Sequence, residues 1–454
     1  MQNKTIAAIS TAPMPGGIGI IRISGSKSKM IAAKVFKPIN NRDIKKMQGY
    51  TACFGHVFYE NERLDEAVAL VFNSPHSYTG EDVVELSVHG GVFVLNKLLR
   101  AVISAGATPA GKGEFTKRAF INGKISLDQA EAVMDIISAT GEQALRSANA
   151  AKSGALYKKI AIVKEILTSA AASLTAYIDF ADEGLSEFDS DIITTAFLES
   201  KAHINELINN YDKGKIIKNG IRTAIIGKPN VGKSSLMNAL TRYDRSIVTE
   251  QAGTTRDIIE ETISVGGITI RLFDTAGIRE ASDSIEKIGI ERAEENLSNA
   301  DIVLAIFDGS EKPSGEDRQI IELIKNKKSI IILNKTDLKE KNRKDWHNLV
   351  GEGISISAKT GAGIDKLENE IESIIGTEAF DPSSAHISNE RQLNCMKRAK
   401  ELIITAESEY KNGQTLDAIS MLTEETICVL CELTGENVSE KIINEVFEKF
   451  CIGK

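Results

Sequence analysis

The segment GKPNVGKSS, Gly227 to Ser235, follows the apolar run Thr223 to Ile226, so it reads as a strand that turns through glycine into a helix. That order of elements commits this part of the chain to an α/β phosphate-binding architecture. Gly227 and Gly232 let the backbone curl without a Cβ, which points successive N–H groups and the helix N-terminus at phosphate oxygens. Asn230, Val231, Gly232, Lys233, Ser234 and Ser235 then line the turn, with Lys233 as a point charge for the β/γ-phosphates and Ser234 as a hydroxyl ligand for Mg²⁺.

Further signatures follow in the order a guanine-nucleotide site requires. DTAG (Asp274, Thr275, Ala276, Gly277) ends the expected strand Thr269 to Phe273, where the acid holds the magnesium shell through water and the glycine N–H meets the γ-phosphate. Between the two lies the polar loop Thr249, Glu250, Gln251, Ala252, Gly253, Thr254, Thr255, in which Thr255 is the second hydroxyl expected on Mg²⁺. NKTD (Asn334, Lys335, Thr336, Asp337) follows the expected strand Ser329 to Leu333. The Asp337 carboxylate matches the two donors on the guanine edge, which adenine lacks. SAK (Ser357, Ala358, Lys359) supplies a backbone N–H toward the guanine oxygen. The set predicts GTP binding and hydrolysis.

A length of 454 residues suggests about three domains. The 42% hydrophobic and 26% charged residues are those of an ordinary globular protein. No run of eighteen apolar residues occurs, and MQNKTIAAIS lacks the basic and apolar regions of a signal peptide, so a cytoplasmic protein without membrane association is expected. Five cysteines are too few and odd for a disulfide framework. A net charge of −8 restricts any RNA contact to a local patch, and the acidic stretch Asp179 to Asp191 reads as a solvated loop.

Proline is absent between Pro109 and Pro229 and after Pro382, and both stretches are rich in helix formers. The expected map is an α+β domain over 1–119, a helical domain over 120–214, a doubly wound Ras-like G domain inserted over 215–378, and a second helical part over 379–454. Within the first domain, Ile6 to Ile9, Gly19 to Ile23, Ala67 to Phe72 and Val83 to Val88 read as strands. There are no repeats or low-complexity tracts.

APMPGGIGIIRISG (Ala12 to Gly25), SYTGEDVVELSVHGG (Ser77 to Gly91), GTTRD (Gly253 to Asp257) and the terminal FCIGK (Phe450 to Lys454) together closely resemble the tRNA-modification GTPases of the MnmE family, also called TrmE, over essentially the whole chain. The resemblance implies an N-terminal domain like that of folate-binding enzymes. It also implies a homodimer that works with the FAD-dependent partner MnmG, as a heterotetramer, to add an aminomethyl or carboxymethylaminomethyl group at C5 of a tRNA wobble uridine. The one-carbon unit would come from 5,10-methylenetetrahydrofolate, with 5-formyltetrahydrofolate as an analogue.

Carried over by motif, the folate contacts are Arg22, Glu85, Lys124 and Lys454; read from the residues alone, Arg22 and Glu85 are strand-end charges and Lys124 a helix-cap lysine. Cys451 is implied in the alkylation chemistry, against the reading of a small buried terminal residue. Cys428 and Cys431 form a CxxC on an expected helix and read as core thiols. Ile278 stands where Ras-like proteins place a water-orienting glutamine, so the resemblance assigns that task to Glu286. It also implies K⁺ held by Asn230, Thr249, Gln251 and Thr254, in place of an arginine finger such as Arg256. The other reading of the signatures is a ribosome-assembly switch like Era or EngA; the helical, acid-rich C-terminus lacks the basic RNA-binding module such a protein would append.

Overall fold

The computed structural model describes residues 4–40, 42–179, 190–243, 260–274, 297, 300–338, 342–376 and 380–454. The chain divides into two compact units. One comprises Met1–Met134, Lys152–Lys201 and Arg398–Lys454, and the other Asp135–Ala151 and Ala202–Lys397. The helices that flank the nucleotide signatures are thus shared between the two units.

The first unit is built on a seven-stranded sheet of β1 (Ile6–Ile9), β2 (Gly16–Ser24), β3 (Phe36–Pro38), β4 (Thr51–Tyr59), β5 (Glu62–Phe72), β6 (Val83–Gly90) and β7 (Thr108–Pro109), in the order β3-β4-β5-β6-β2-β1-β7. Alternation along the strands sends Ile21, Ile23, Val84, Leu86, Ala69 and Val71 to one face, where the helices Ser28–Val35 and Val92–Ser104 cover them. The residues between them necessarily take the other face. Arg22 and Glu85 are among these, and the antiparallel register sets them directly opposite each other.

Helices complete this unit. Leu127, Ala130, Val133, Val446, Phe447 and Phe450 form a separate small core. The helix Ala155–Asp179 buries Leu156, Ile160, Val163, Leu167 and Leu174 at a helical repeat and packs along the helix Leu416–Thr434. Among the described residues it is the one helix long and apolar enough to cross a membrane, and its Lys164 is paired with Glu436.

The second unit holds a six-stranded sheet of β8 (Ile221–Ile226), β9 (Glu260–Val265), β10 (Ile268–Asp274), β11 (Ile302–Asp308), β12 (Ser329–Asn334) and β13 (Ile354–Ser355), in the order β13-β12-β11-β8-β10-β9. All neighbours are parallel except β9 and β10. At that edge Gly266 and Gly267, at φ 59 and 75, close a two-residue hairpin that forces antiparallel pairing. β11 is buried at every position, as a central strand covered on both faces must be. Among the described residues, the doubly wound order places the C-terminal ends of β8, β11 and β12 beside one another, where a ligand crevice forms in such sheets.

Candidate functional site

The strand β8 delivers the phosphate loop. A Cβ on Gly227 would stand 2.4 Å from the Ile306 carbonyl oxygen, and one on Gly232, at φ +102, would stand 2.2 Å from Asn334 Nδ2. Neither position therefore accepts a side chain. Asn230 takes a left-handed backbone at φ 62, which asparagine tolerates better than most residues. The helix Lys233–Tyr243 begins at the end of this turn, with the Ser234 hydroxyl exposed at its first turn. Lys233 Nζ donates to the carbonyls of Gly227 and Lys228, both at 2.8 Å, so the ammonium is buried inside the loop that it would serve.

The base-recognition motif meets this loop through Asn334. Its Nδ2 donates to Val231 O at 2.7 Å, and its Oδ1 accepts from Ala358 N at 2.9 Å. One buried amide thereby ties GKPNVGKSS, NKTD and SAK together. Asp337 accepts from the Ser357 hydroxyl at 2.7 Å, and that hydrogen bond holds its carboxyl below the usual carboxylate range. It remains ionised and exposed, ready to accept from guanine. Lys335, at φ 67, turns its ammonium onto Asp308 at 2.6 Å.

Of the remaining expected nucleotide residues, Asp274 ends β10, while Thr249, Glu250, Gln251, Ala252, Gly253, Thr254, Thr255, Thr275, Ala276, Gly277 and Glu286 lie outside the described residues, as do Arg256 and Ile278. Lys228, Ser314 and Asp317 border the loop without having been singled out in sequence: Lys228 Nζ reaches Asp317 Oδ2 at 2.8 Å and Ser314 Oγ at 3.0 Å. The Ser-x-x-Asp spacing of a helix start was the available signal.

The first unit gathers a second cluster. Arg22 Nε donates to Glu85 Oε1 at 2.7 Å, and the guanidinium lies 5.5 Å from the ring centres of both Tyr78 and Phe115. The C-terminal tail reaches the same place. Phe115 N donates to Lys454 O at 3.2 Å, Gly113 N to Cys451 O at 3.3 Å, and Ser10 Oγ to Gly453 O at 3.1 Å. Half-burial, and next the neighbouring Arg22 charge, push the Lys454 ammonium below its ordinary value, while Glu85 opposes the shift. Arg22 Nη1 donates to Gly453 O at 3.5 Å, so the Arg22–Glu85 pair and the tail that ends in Lys454 stand together. Lys124 closes the turn after the helix Glu114–Ile121 and donates from Nζ to Pro75 O at 3.1 Å, bracing the loop that carries Tyr78. Tyr78 and Phe115 were not legible as site residues in sequence.

Cys451 is exposed, which excludes the reading of a small buried terminal residue. Cys428 is exposed and Cys431 half-buried, which corrects the reading of both as core thiols; the helix turns Ile419, Thr423, Thr426, Val429, Leu430 and Leu433 inward and leaves the two cysteines off that face. No group of three or more potential metal-ligating His, Cys, Asp or Glu side chains occurs among the described residues.

Comparison with known proteins connects the two clusters to one family. The family model for the MnmE helical domain matches residues 127–451, and that for the GTP-binding protein TrmE N-terminus matches residues 5–124. The tRNA modification GTPase MnmE of Alkaliphilus oremlandii (strain OhILAs) is 41% identical, covering 100% of this chain and 99% of that protein. The proteins of the same name from Thermoanaerobacter sp. (strain X514) and Streptococcus sanguinis (strain SK36) are 41% and 38% identical, each over 99% of this chain and over 99% and 98% of their own lengths. A guanine-nucleotide site joined by Asn334, matched end to end at this level of identity, places the chain in the MnmE (TrmE) family of tRNA modification GTPases.

Proposed function

We propose that this GTP hydrolase acts with an FAD-dependent partner of the MnmG type to install an aminomethyl or carboxymethylaminomethyl group at C5 of a tRNA wobble uridine, drawing the carbon from 5,10-methylenetetrahydrofolate. The observation that carries this reading beyond a GTPase switch is the C-terminal tail brought to the Arg22–Glu85 pair, where Arg22 Nη1 donates to Gly453 O at 3.5 Å one residue before Lys454. The Glu85 carboxylate, paired with an Arg22 that lies against two aromatic rings, would offer an acceptor for an aminopyrimidine edge, and Arg22 and Lys454 counter-charges for a glutamate tail. A ribosome-assembly switch leaves that cluster without a task. Lys124 would act beside it, and the exposed Cys451 sits three residues before Lys454, open to reagent.

At the nucleotide site, the loop Asn230 to Ser235 would hold the phosphates, Asp337 the base edge, and a backbone N–H of Ser357 to Lys359 the guanine oxygen. The oxygen donors fit hard cations: the Ser234 hydroxyl is exposed at the helix start for Mg²⁺, with Thr255 as its expected companion, and the side-chain amide of Asn230 is exposed at the loop tip for K⁺, with Thr249, Gln251 and Thr254. Bound there, the cations would offset charge that develops on the phosphates. Glu286 would orient the attacking water through its carboxylate. The domain map that accompanies this reading is 1–119, 120–214, 215–378 and 379–454, with the homodimer formed through the first domain and the whole acting in the cytoplasm.

The test is nucleoside analysis of tRNA from a strain lacking this protein. Loss of a C5-modified wobble uridine, restored by the intact gene, is expected. An unchanged wobble nucleoside would overturn the transfer reading and leave a GTPase with another client.

A further inference from the structure

The stretch from the end of β11 to the first turn of the helix Gly315–Ile324 carries no nucleotide signature, yet the carboxylates at its two ends, Asp308 and Asp317, hold lysines that belong to two separate signatures. Asp317 is fully buried. Its Oδ2 accepts from Ser314 N at 2.8 Å, from Ser314 Oγ at 2.7 Å and from Lys228 Nζ at 2.8 Å, while Oδ1 has no hydrogen-bond partner. Capping the helix needs only the serine and an exposed acid. Burying a carboxylate costs stability unless a cation meets it, and here the cation comes from the second residue of the phosphate loop.

At the other end of the connection Asp308 grips Lys335 of NKTD and also accepts from Ser310 N at 3.0 Å and Ser310 Oγ at 2.6 Å. The segment between them is itself pinned. Trp346 Nε1 donates to Glu311 O and Asn342 Nδ2 to Ser310 O, both at 2.9 Å. Lys228 is consequently fixed at both ends, its ammonium on Asp317 and its carbonyl under Lys233 Nζ. Its charge points away from the phosphate loop's interior and into the helix start.

We propose that the connection Asp308 to Asp317 is a positioning frame for the nucleotide site, in which Asp317 sets the phosphate loop through Lys228 and Asp308 sets the base-recognition loop through Lys335. The frame rests on the reading of these loops as the GTP site. It acts on the resting backbone, which must hold its N–H groups in place before a phosphate arrives, so it governs affinity for GDP and GTP alike rather than the hydrolytic step.

The experiment compares full-length wild type with K228R, K228M/D317L and D308N by calorimetric titration of GDP and by steady-state GTP hydrolysis. The double variant removes both charges, so no orphaned carboxylate remains in the core. Expected are an increase of about tenfold in the GDP dissociation constant and in KM for K228M/D317L and D308N, with kcat within about twofold, and near wild-type behaviour for K228R. If thermal unfolding shows K228M/D317L to be unfolded, D308N decides alone, since its partner Lys335 is partly open to solvent. Wild-type GDP affinity in the folded variants, or a fall in kcat at constant KM, overturns the frame. Failure of the wild type itself to bind GDP removes the nucleotide site instead, a result read before any variant is made.

Discussion

Asn334 donates its side-chain amide to the carbonyl oxygen of Val231 at 2.7 Å, across 103 positions of sequence, and so makes the phosphate loop and the base-recognition loop one rigid object. Asn334→Ala leaves the buried Val231 carbonyl without a partner, at a cost of about 1–3 kcal/mol, and also frees Ala358 N. Weaker binding of GDP and GTP by about tenfold or more and a lowered melting temperature are expected. Calorimetric titration and thermal unfolding check both; a variant with wild-type affinity would show that the two loops hold their positions independently.

Asp337 is held ionised by Ser357, and an ionised carboxylate accepts without donating. Asp337→Asn presents one donor to the two donors of guanine, so discrimination between GTP and ATP should fall by roughly 10–100-fold, corresponding to the about 1–3 kcal/mol of a desolvated polar group left unmatched. Competition binding with the two nucleotides measures it. Undiminished preference for GTP would remove Asp337 from the base site.

The nucleotide motifs were legible because each is a contiguous run whose chemistry is local: a glycine turn, a strand-end acid, an amide followed by a carboxylate. The strands β1, β2, β5 and β6 were equally visible as short β runs set between Gly/Pro turns. What was missed depends on residues far apart. Asp308 and Asp317 acquire their meaning only when the sheet order brings β11 beside β8 and β12. The aromatic faces of Tyr78 and Phe115 around Arg22 follow from tertiary packing, which no spacing encodes. β4 escaped because His56 and Gly55 interrupt its apolar pattern, although Cys53 and Val57 face the core. The cysteines of the CxxC were misjudged because residue type suggested burial while helix phase turned them outward.

His386 sits in the second unit with Nδ1 against Ser384 O at 2.9 Å and Nε2 against Ser147 Oγ at 2.6 Å. A carbonyl only accepts, so Nδ1 carries the hydrogen and Nε2 accepts from the serine. Burial lowers its basicity below the ordinary value of 6.5, assisted by the Lys218 charge and opposed by Ser384 O and Asp135. The unfolded chain then binds more protons than the folded one between 6.5 and the depressed folded value. Its contribution to stability is complete above that window and declines as pH falls through it. His386→Asn should flatten this decline in unfolding measurements over the window; His89, whose basicity is raised by Asp65 and which acts with opposite sign, remains in both proteins and cancels in the difference. An identical slope in wild type and variant would refute the assignment.

Asn230, at the exposed tip of the phosphate loop, is the one expected K⁺ ligand whose side chain lies among the described residues. Hydrolysis in KCl should exceed that in NaCl at equal ionic strength by on the order of 10²-fold, the effect of one well-placed charge near the reacting phosphate. Asn230→Ala should abolish the difference while retaining GDP binding. Equal rates in the two salts for the wild type would count against a monovalent site.

Gly453 holds the terminal segment in place at φ +100, and a Cβ there would lie 2.2 Å from the Ile9 carbonyl oxygen. Gly453→Val therefore cannot dock. The hydrogen bond from Ser10 Oγ to Gly453 O breaks, the antiparallel bridge between Lys112 and Ile452 loses its neighbour, and Lys454 leaves the Arg22–Glu85 pair. The strained backbone and the clash both fall on a tail, so the sheet core of Ile21, Val84 and Leu86 remains intact and the protein stays folded. If Lys454 supplies a counter-charge for a folate glutamate tail, affinity for 5-formyltetrahydrofolate should drop by about tenfold or more. GTP turnover should stay within about twofold of wild type, because no nucleotide contact lies in this unit among the described residues. Fluorescence titration of the folate analogue and a phosphate-release assay on the same preparation read the two effects. Unchanged folate affinity would detach the tail from the one-carbon site, and a parallel loss of GTP turnover would show instead that the tail supports the protein as a whole.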